Sequence, residues 1–134
     1  MTSEERNAQA QNMGNTFVWH ECNVPDVAAA KAFYGQVVGW TTQDMPMGEM
    51  GTYTMFCNNG IPVGGIMATV GDMAHVPPHW SVYVAVADVD SAAAKAEELG
   101  GKIVVPAFDI PTIGRTCLVT DPQGAMFWLF KGAA

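Results

Sequence analysis

The sequence predicts an α+β fold made of two tandem βαβββ modules, on three observations. The chain repeats itself at an offset near 62 positions: FVWHECNV (17–24) leads into Asp26 and an alanine-rich stretch, and WSVYVAVA (80–87) leads into Asp88 and another. Gly39 stands 13 positions after Asp26 and Gly101 stands 13 after Asp88, so each stretch has a cap and a stop. Each stretch is followed by β-forming segments joined by recognisable turns. An offset of 64 superposes the two Ala-Ala-Ala-Lys runs instead, but it breaks the match of caps and stops.

The elements follow in order. Residues 1–15 (MTSEERNAQAQNMGN) lack a basic start and an apolar core, and read as a polar, disordered leader rather than a signal peptide. A single domain is expected over 16–131, with modules 16–70 and 79–131. In the first, 17–24 is a strand, and Ala28, Ala29, Ala30 and Lys31 favour the helix after Asp26. Strands 52–57 and 61–67 flank Asn58-Asn59-Gly60, a turn suited to positive φ and a hairpin. In the second, 80–87 is a strand and Asp88 or Ser91 caps the helix. Strands 115–120 and 125–131 flank Asp121-Pro122-Gln123-Gly124, which suits a type I turn. One helix covers one face of each small sheet. Two such units side by side are expected to form a curved, barrel-like mixed sheet around a cleft, with the helices outside.

Composition narrows the function. Of the 134 residues 49% are apolar and 14% charged, enough apolar material for a core and for a pocket or subunit interface besides. Thirteen acids against six bases give a net charge of −7, and the few Lys and Arg are scattered, so nucleic acid and acidic membranes are not expected partners. Three cysteines without a C-x-x-C pair suit reduced thiols and a cytoplasmic setting. No apolar run approaches the roughly 20 residues that span a bilayer.

Alternation along the first strands assigns faces. Val82, Val84 and Val86 form an apolar face expected under the second helix, leaving Ser81, Tyr83 and Ala85 toward the cleft. By the repeat, Val18, His20, Cys22 and Val24 lie under the first helix, with Trp19, Glu21 and Asn23 in the cleft. Met126, Trp128 and Phe130 share one face of the last strand.

The chemistry-bearing residues are few. His20 and Glu21 are adjacent on a strand and point to opposite faces, so they cannot share an ion, and His20 reads as a half-buried, hydrogen-bonded histidine. His75 and His79 have zinc-ligand spacing, but Pro77 and Pro78 between them preclude a helix; they read as linker residues, with loop ligation the alternative. Glu21 among Trp19, Tyr83 and Trp128 would be partly desolvated, which suits proton transfer. The alternative is a structural carboxylate bonded to backbone amides, Tyr83, Asn23 or Arg115. Arg115 reads as an internal ion pair with Asp109 or Asp121, or else as a clamp for a substrate anion. Met45, Met47, Met50 and Met55 read as core, with the wall of an apolar pocket the alternative. Nucleotide-binding glycine loops and the serine-hydrolase G-x-S-x-G are missing.

Trp19-His20-Glu21, Asp26 with Phe33-Tyr34-Gly35 and Val38-Gly39-Trp40, then Gly100-Gly101-Lys102, Asp109-Ile110-Pro111, Gly114-Arg115 and Asp121-Pro122-Gln123-Gly124 resemble the vicinal oxygen chelate superfamily. That superfamily includes glyoxalase I, extradiol dioxygenases and bleomycin-resistance proteins. The resemblance covers roughly residues 16 to 131 and is nearest a glyoxalase-like branch labelled predicted lactoylglutathione lyase. It implies a divalent metal in the cleft, with ligand positions falling on Trp19, Ser81, Trp128 and the glycine-rich strand 62–67. Those residues supply no imidazole or carboxylate, so no metal is expected and the lyase or dioxygenase chemistry is expected to be lost.

The resulting expectation is a small-molecule binder taking an apolar or aromatic ligand on Trp19, Glu21, Asn23, Ser81, Tyr83, Arg115 and Trp128. Two alternatives stand beside it. One is a glyoxalase-type lyase or isomerase, metal-independent through Glu21 as the catalytic residue or with a displaced divalent metal held by Glu21 and loop histidines. The other is a dimeric drug-sequestering protein. A homodimer is expected in each case.

Overall fold

The computed structural model describes residues 15–133, so the leader expected over 1–15 lies, Asn15 apart, outside the described residues. The elements run β1 (Phe17–Val24), α1 (Val27–Val37), β2 (Thr41–Pro46), β3 (Thr52–Asn58), β4 (Ile61–Ala68), β5 (His79–Ala85), α2 (Val89–Glu98), β6 (Lys102–Ile110), β7 (Gly114–Thr120) and β8 (Met126–Gly132). The α+β class and the twice-repeated βαβββ order are those the sequence predicts. The chain divides into two units, one of Trp19–Ser81 and one running from Val82 onward together with the described residues before Trp19.

In the first unit the strands are ordered β2-β3-β4-β1. β1 runs parallel to β4, while β3 runs antiparallel to both of its neighbours, β2 and β4, so the sheet is mixed. Asp26 starts α1 by accepting from the Ala29 amide at 3.0 Å, satisfying a donor that the first helical turn leaves over. Ala30 then packs on Cys22, Phe56 and Ile66, with Val24, Val27, Tyr34 and Trp40 around them. Burying one such large apolar side chain contributes on the order of 1.5–3 kcal/mol. Asn59 and Gly60 both have positive φ, 52° and 80°, as the hairpin turn between β3 and β4 requires.

Two expectations fail here. Cys22 and Val24 lie under α1, but Val18 and His20 are exposed, because the helix covers only the C-terminal half of β1. Met45, Met47 and Met55 are half-buried and do not belong to the core cluster.

In the second unit the order is β5-β8-β7-β6, with β5 parallel to β8 and the rest antiparallel. Asp88, rather than Ser91, caps α2, accepting from the Ser91 amide at 3.0 Å. Val89 and Ala93 bury against Cys117, Val119 and Leu129, with Val86 and Phe127 beside them. The helix stop is Gly100 at φ 97°, one residue earlier than expected. Gly101 serves a different purpose: a β-carbon there would run into the Thr120 carbonyl, so the chain can enter β6 only with glycine. The Asp121 side chain accepts from the Gln123 and Ala125 amides at 2.8 and 3.0 Å and closes the β7–β8 turn.

Candidate functional site

The face of β1 opposite α1 carries Trp19, Glu21 and Asn23, alternating with Cys22 and Val24 beneath the helix. Glu21 is only 3% exposed, and a carboxylate so buried requires partners. Its Oε1 accepts from Asn23 Nδ2 at 3.0 Å, and its Oε2 accepts from the Tyr53 hydroxyl at 2.7 Å. Trp19 Nε1 in turn donates to Tyr53 Oη at 2.9 Å, and the Ser81 hydroxyl donates to Asn23 Oδ1. Four of the residues expected at the site, Trp19, Glu21, Asn23 and Ser81, thus belong to one hydrogen-bonded chain.

Tyr53 is the member that the sequence reading missed. It reaches Glu21 because Gly65, the register partner of Glu21 on β4, has no side chain: a β-carbon on Gly65 would overlap the Tyr53 hydroxyl. Glycine inside a strand marks a close approach of this kind, and Gly64-Gly65 was the signal available. Burial, followed by the Glu21 carboxylate, pushes the Tyr53 phenol far above its ordinary range. Tyr53 therefore remains a protonated donor across the physiological range.

In the second unit Tyr83 and Trp128 are register partners across β5 and β8, and their rings stack at 5.5 Å with 6° between planes. Phe108 meets Trp128 edge-on at 6.4 Å, and Phe130 meets Tyr83 edge-on at 6.3 Å. Trp128 and Phe130 therefore share a face with Tyr83.

Arg115 lies on the opposite face. It alternates with Thr116 on β7 and falls on the side of Cys117 and Val119, which pack beneath α2. There it forks onto Asp90 of α2 through Nε at 2.8 Å and Nη2 at 2.9 Å, and its Nη1 donates to Asp109 at 3.1 Å. The Arg115 hydrogen bonds hold Asp90 below the usual carboxylate range, and both carboxylates hold Arg115 above its own. The internal pairing with Asp109 occurs, but the second partner is Asp90 rather than Asp121. Arg115 shares no face with Tyr83 and Trp128.

Among the described residues no three His, Cys, Asp or Glu side chains come together as a metal-holding group, and Glu21, His75 and His79 are not one. His79 begins β5 with Nδ1 at 2.7 Å from the Pro77 carbonyl oxygen.

Residues 16–129 match the sequence profile of the Glyoxalase/Bleomycin resistance protein/Dioxygenase superfamily. The chain belongs to that superfamily. The protein named "Putative glyoxylase CFP32" in Mycobacterium tuberculosis is 39% identical over 122 residues, covering 91% of this chain and 46% of that protein. Anthracycline biosynthesis protein DnrV of Streptomyces peucetius is 29% identical over 125 residues, covering 84% of this chain and 46% of its own length. The chain thus spans about half the length of the curated relatives it matches. Among solved structures, methylmalonyl-CoA epimerase from Mycobacterium tuberculosis aligns with a TM-score of 0.61 over 88% of each chain at 15% identity, a likeness of fold alone.

At the positions where the resemblance places the superfamily's metal ligands, the donor set does not fit a divalent cation. Trp19 offers only an N–H, already directed at Tyr53. The Ser81 hydroxyl is given to Asn23 and the Trp128 ring to Tyr83. On the glycine-rich strand, the place beside Glu21 is Gly65, over which Tyr53 lies.

Proposed function

We propose that this protein binds a small apolar or aromatic molecule on the Trp19–Glu21–Asn23 face of its first unit, without the superfamily's metal. The observation that carries this reading is the hydrogen-bonded chain Trp19–Tyr53–Glu21–Asn23–Ser81, which uses Trp19 and Ser81, two of the metal-ligand positions, as hydrogen-bond donors. Tyr83 and Trp128 of the second unit supply a stacking surface suited to the same ligand class. A net charge of −7 disfavours anionic ligands such as glutathione conjugates. The domain is read as 16–131, with modules 16–70 and 79–131, in a cytoplasmic homodimer with neither nucleic acid nor membrane as partner. No helix among the described residues is long and apolar enough to cross a membrane.

The test is fluorescence titration of the full chain with a panel of aromatic compounds. A saturable response that Trp19→Phe removes supports binding at this face; no response to any compound contradicts it. Elemental analysis of protein purified without a metal-affinity tag is expected to find well under one equivalent of divalent metal. A full equivalent that EDTA removes would contradict the metal-free reading.

A second reading, a glyoxalase-type lyase or isomerase with Glu21 as its proton-transfer group, is favoured by the burial of that carboxylate. Under it Glu21→Gln abolishes turnover, whereas under the binding reading the same change alters affinity alone. A drug-sequestering role is a further form of the binding reading, and it too needs no catalytic residue.

A further inference from the structure

Two groups of different chemistry converge on one oxygen in the first unit. Trp19 Nε1 donates to Tyr53 Oη at 2.9 Å, and Tyr53 Oη donates to Glu21 Oε2 at 2.7 Å. A donor and a buried carboxylate directed at the same atom specify a hydroxyl. An ether oxygen could accept from the indole but has nothing to give the carboxylate, an ammonium could give but not accept, and a second carboxylate would meet like charge. The oxygen is carried on an aromatic ring, and Gly65 leaves the space that this hydroxyl occupies.

We infer that the Trp19–Glu21 pair is a recognition site for an aromatic hydroxyl, occupied in this structure by Tyr53, and that a phenolic ligand binds by taking that hydroxyl's place. This rests on the aromatic-ligand reading above and names the polar group the ligand must carry. Tyr53 is then an internal occupant whose departure opens the site. Asn23, anchored by Ser81, keeps its hold on Oε1 and fixes the carboxylate while Oε2 changes partner. Because a phenol replaces one hydroxyl by another, the exchange leaves the hydrogen bonding of Trp19 and Glu21 intact, which no apolar ligand could do.

The experiment uses the full chain with phenol and its methyl ether, anisole, as matched probes, and calorimetry or tryptophan fluorescence as readout. In Tyr53→Ala, phenol is expected to bind about tenfold tighter than anisole, as a hydrogen bond to a charged acceptor implies. In Tyr53→Ala/Glu21→Gln that preference falls to about equal affinity. In the wild-type chain phenol binds more weakly than in Tyr53→Ala, because Tyr53 competes. Circular dichroism checks the fold, and Tyr53→Leu, which keeps apolar volume while removing the hydroxyl, gives the same ordering should the alanine variant unfold. Equal binding of phenol and anisole by a folded Tyr53 variant, while aromatics still bind the wild-type chain, overturns the hydroxyl assignment and leaves the wider reading standing. A phenol preference that Glu21→Gln does not diminish overturns it as well. Failure of every aromatic to bind any of these chains overturns both.

Discussion

The Tyr53 hydroxyl donates to Glu21 Oε2 at 2.7 Å, across 32 positions of sequence. That bond joins β3 to β1 over β4, the strand between them, at Gly65, which has no side chain to block it. The burial of Glu21 and the glycine on its neighbouring strand are thus parts of one arrangement.

Removing the hydroxyl should be felt in stability. Tyr53→Phe deprives a buried carboxylate of a donor and leaves the Trp19 indole without its acceptor, a loss of about 1–3 kcal/mol. Urea unfolding at neutral pH measures it; a loss below about 0.5 kcal/mol would mean that the bond is unimportant in solution.

The same bond sets an alkaline limit. Burial and Glu21 raise the folded Tyr53 above the ordinary value of 10.0, so the unfolded chain releases this proton first. Stability from this group is complete below pH 10 and falls as pH rises beyond it, by roughly 1.4 kcal/mol per pH unit. Unfolding followed from pH 8 upward should show this fall in the wild-type chain and a shallower one in Tyr53→Phe.

Gly65→Ala tests the space itself. The new β-carbon would overlap the Tyr53 hydroxyl and force the ring away from Glu21, an overpacking cost of about 1–3 kcal/mol. The double variant with Tyr53→Phe should lose less than the sum of the two single losses, because both break one contact. Full additivity would separate Gly65 from Tyr53.

Much of this was legible because it was local. Asp26 and Asp88 cap their helices, Asn59-Gly60 makes the tight turn, and Trp19 shares a strand face with Glu21, all within short stretches of chain. What could not be read depended on distant partners. Tyr53 finds Glu21 only after three strands align, and Arg115 finds Asp90 from 25 positions away because α2 brings it alongside β7. His20 was assigned to the correct strand, but alternation cannot say how far a covering helix extends.

Arg115 offers an acid-side prediction. Its hydrogen bonds lower the folded Asp90 below the ordinary value of 3.8, so the tie between α2 and β7 is fully present above that pH and is lost as pH falls below it. Asp90→Asn should unfold slightly more readily at neutral pH and show a smaller drop between pH 4 and pH 2 than the wild-type chain. Identical acid profiles would remove Asp90 from the account.

The most direct test of ligand binding at the first unit is the Trp19 indole N–H resonance in a 15N-labelled chain, assigned by its disappearance in Trp19→Phe. On saturation with an aromatic ligand found by titration, that resonance is predicted to shift, because its acceptor is Tyr53 in the free chain. A saturating ligand that moves only the Trp40 or Trp80 resonances and leaves Trp19 in place would contradict the account.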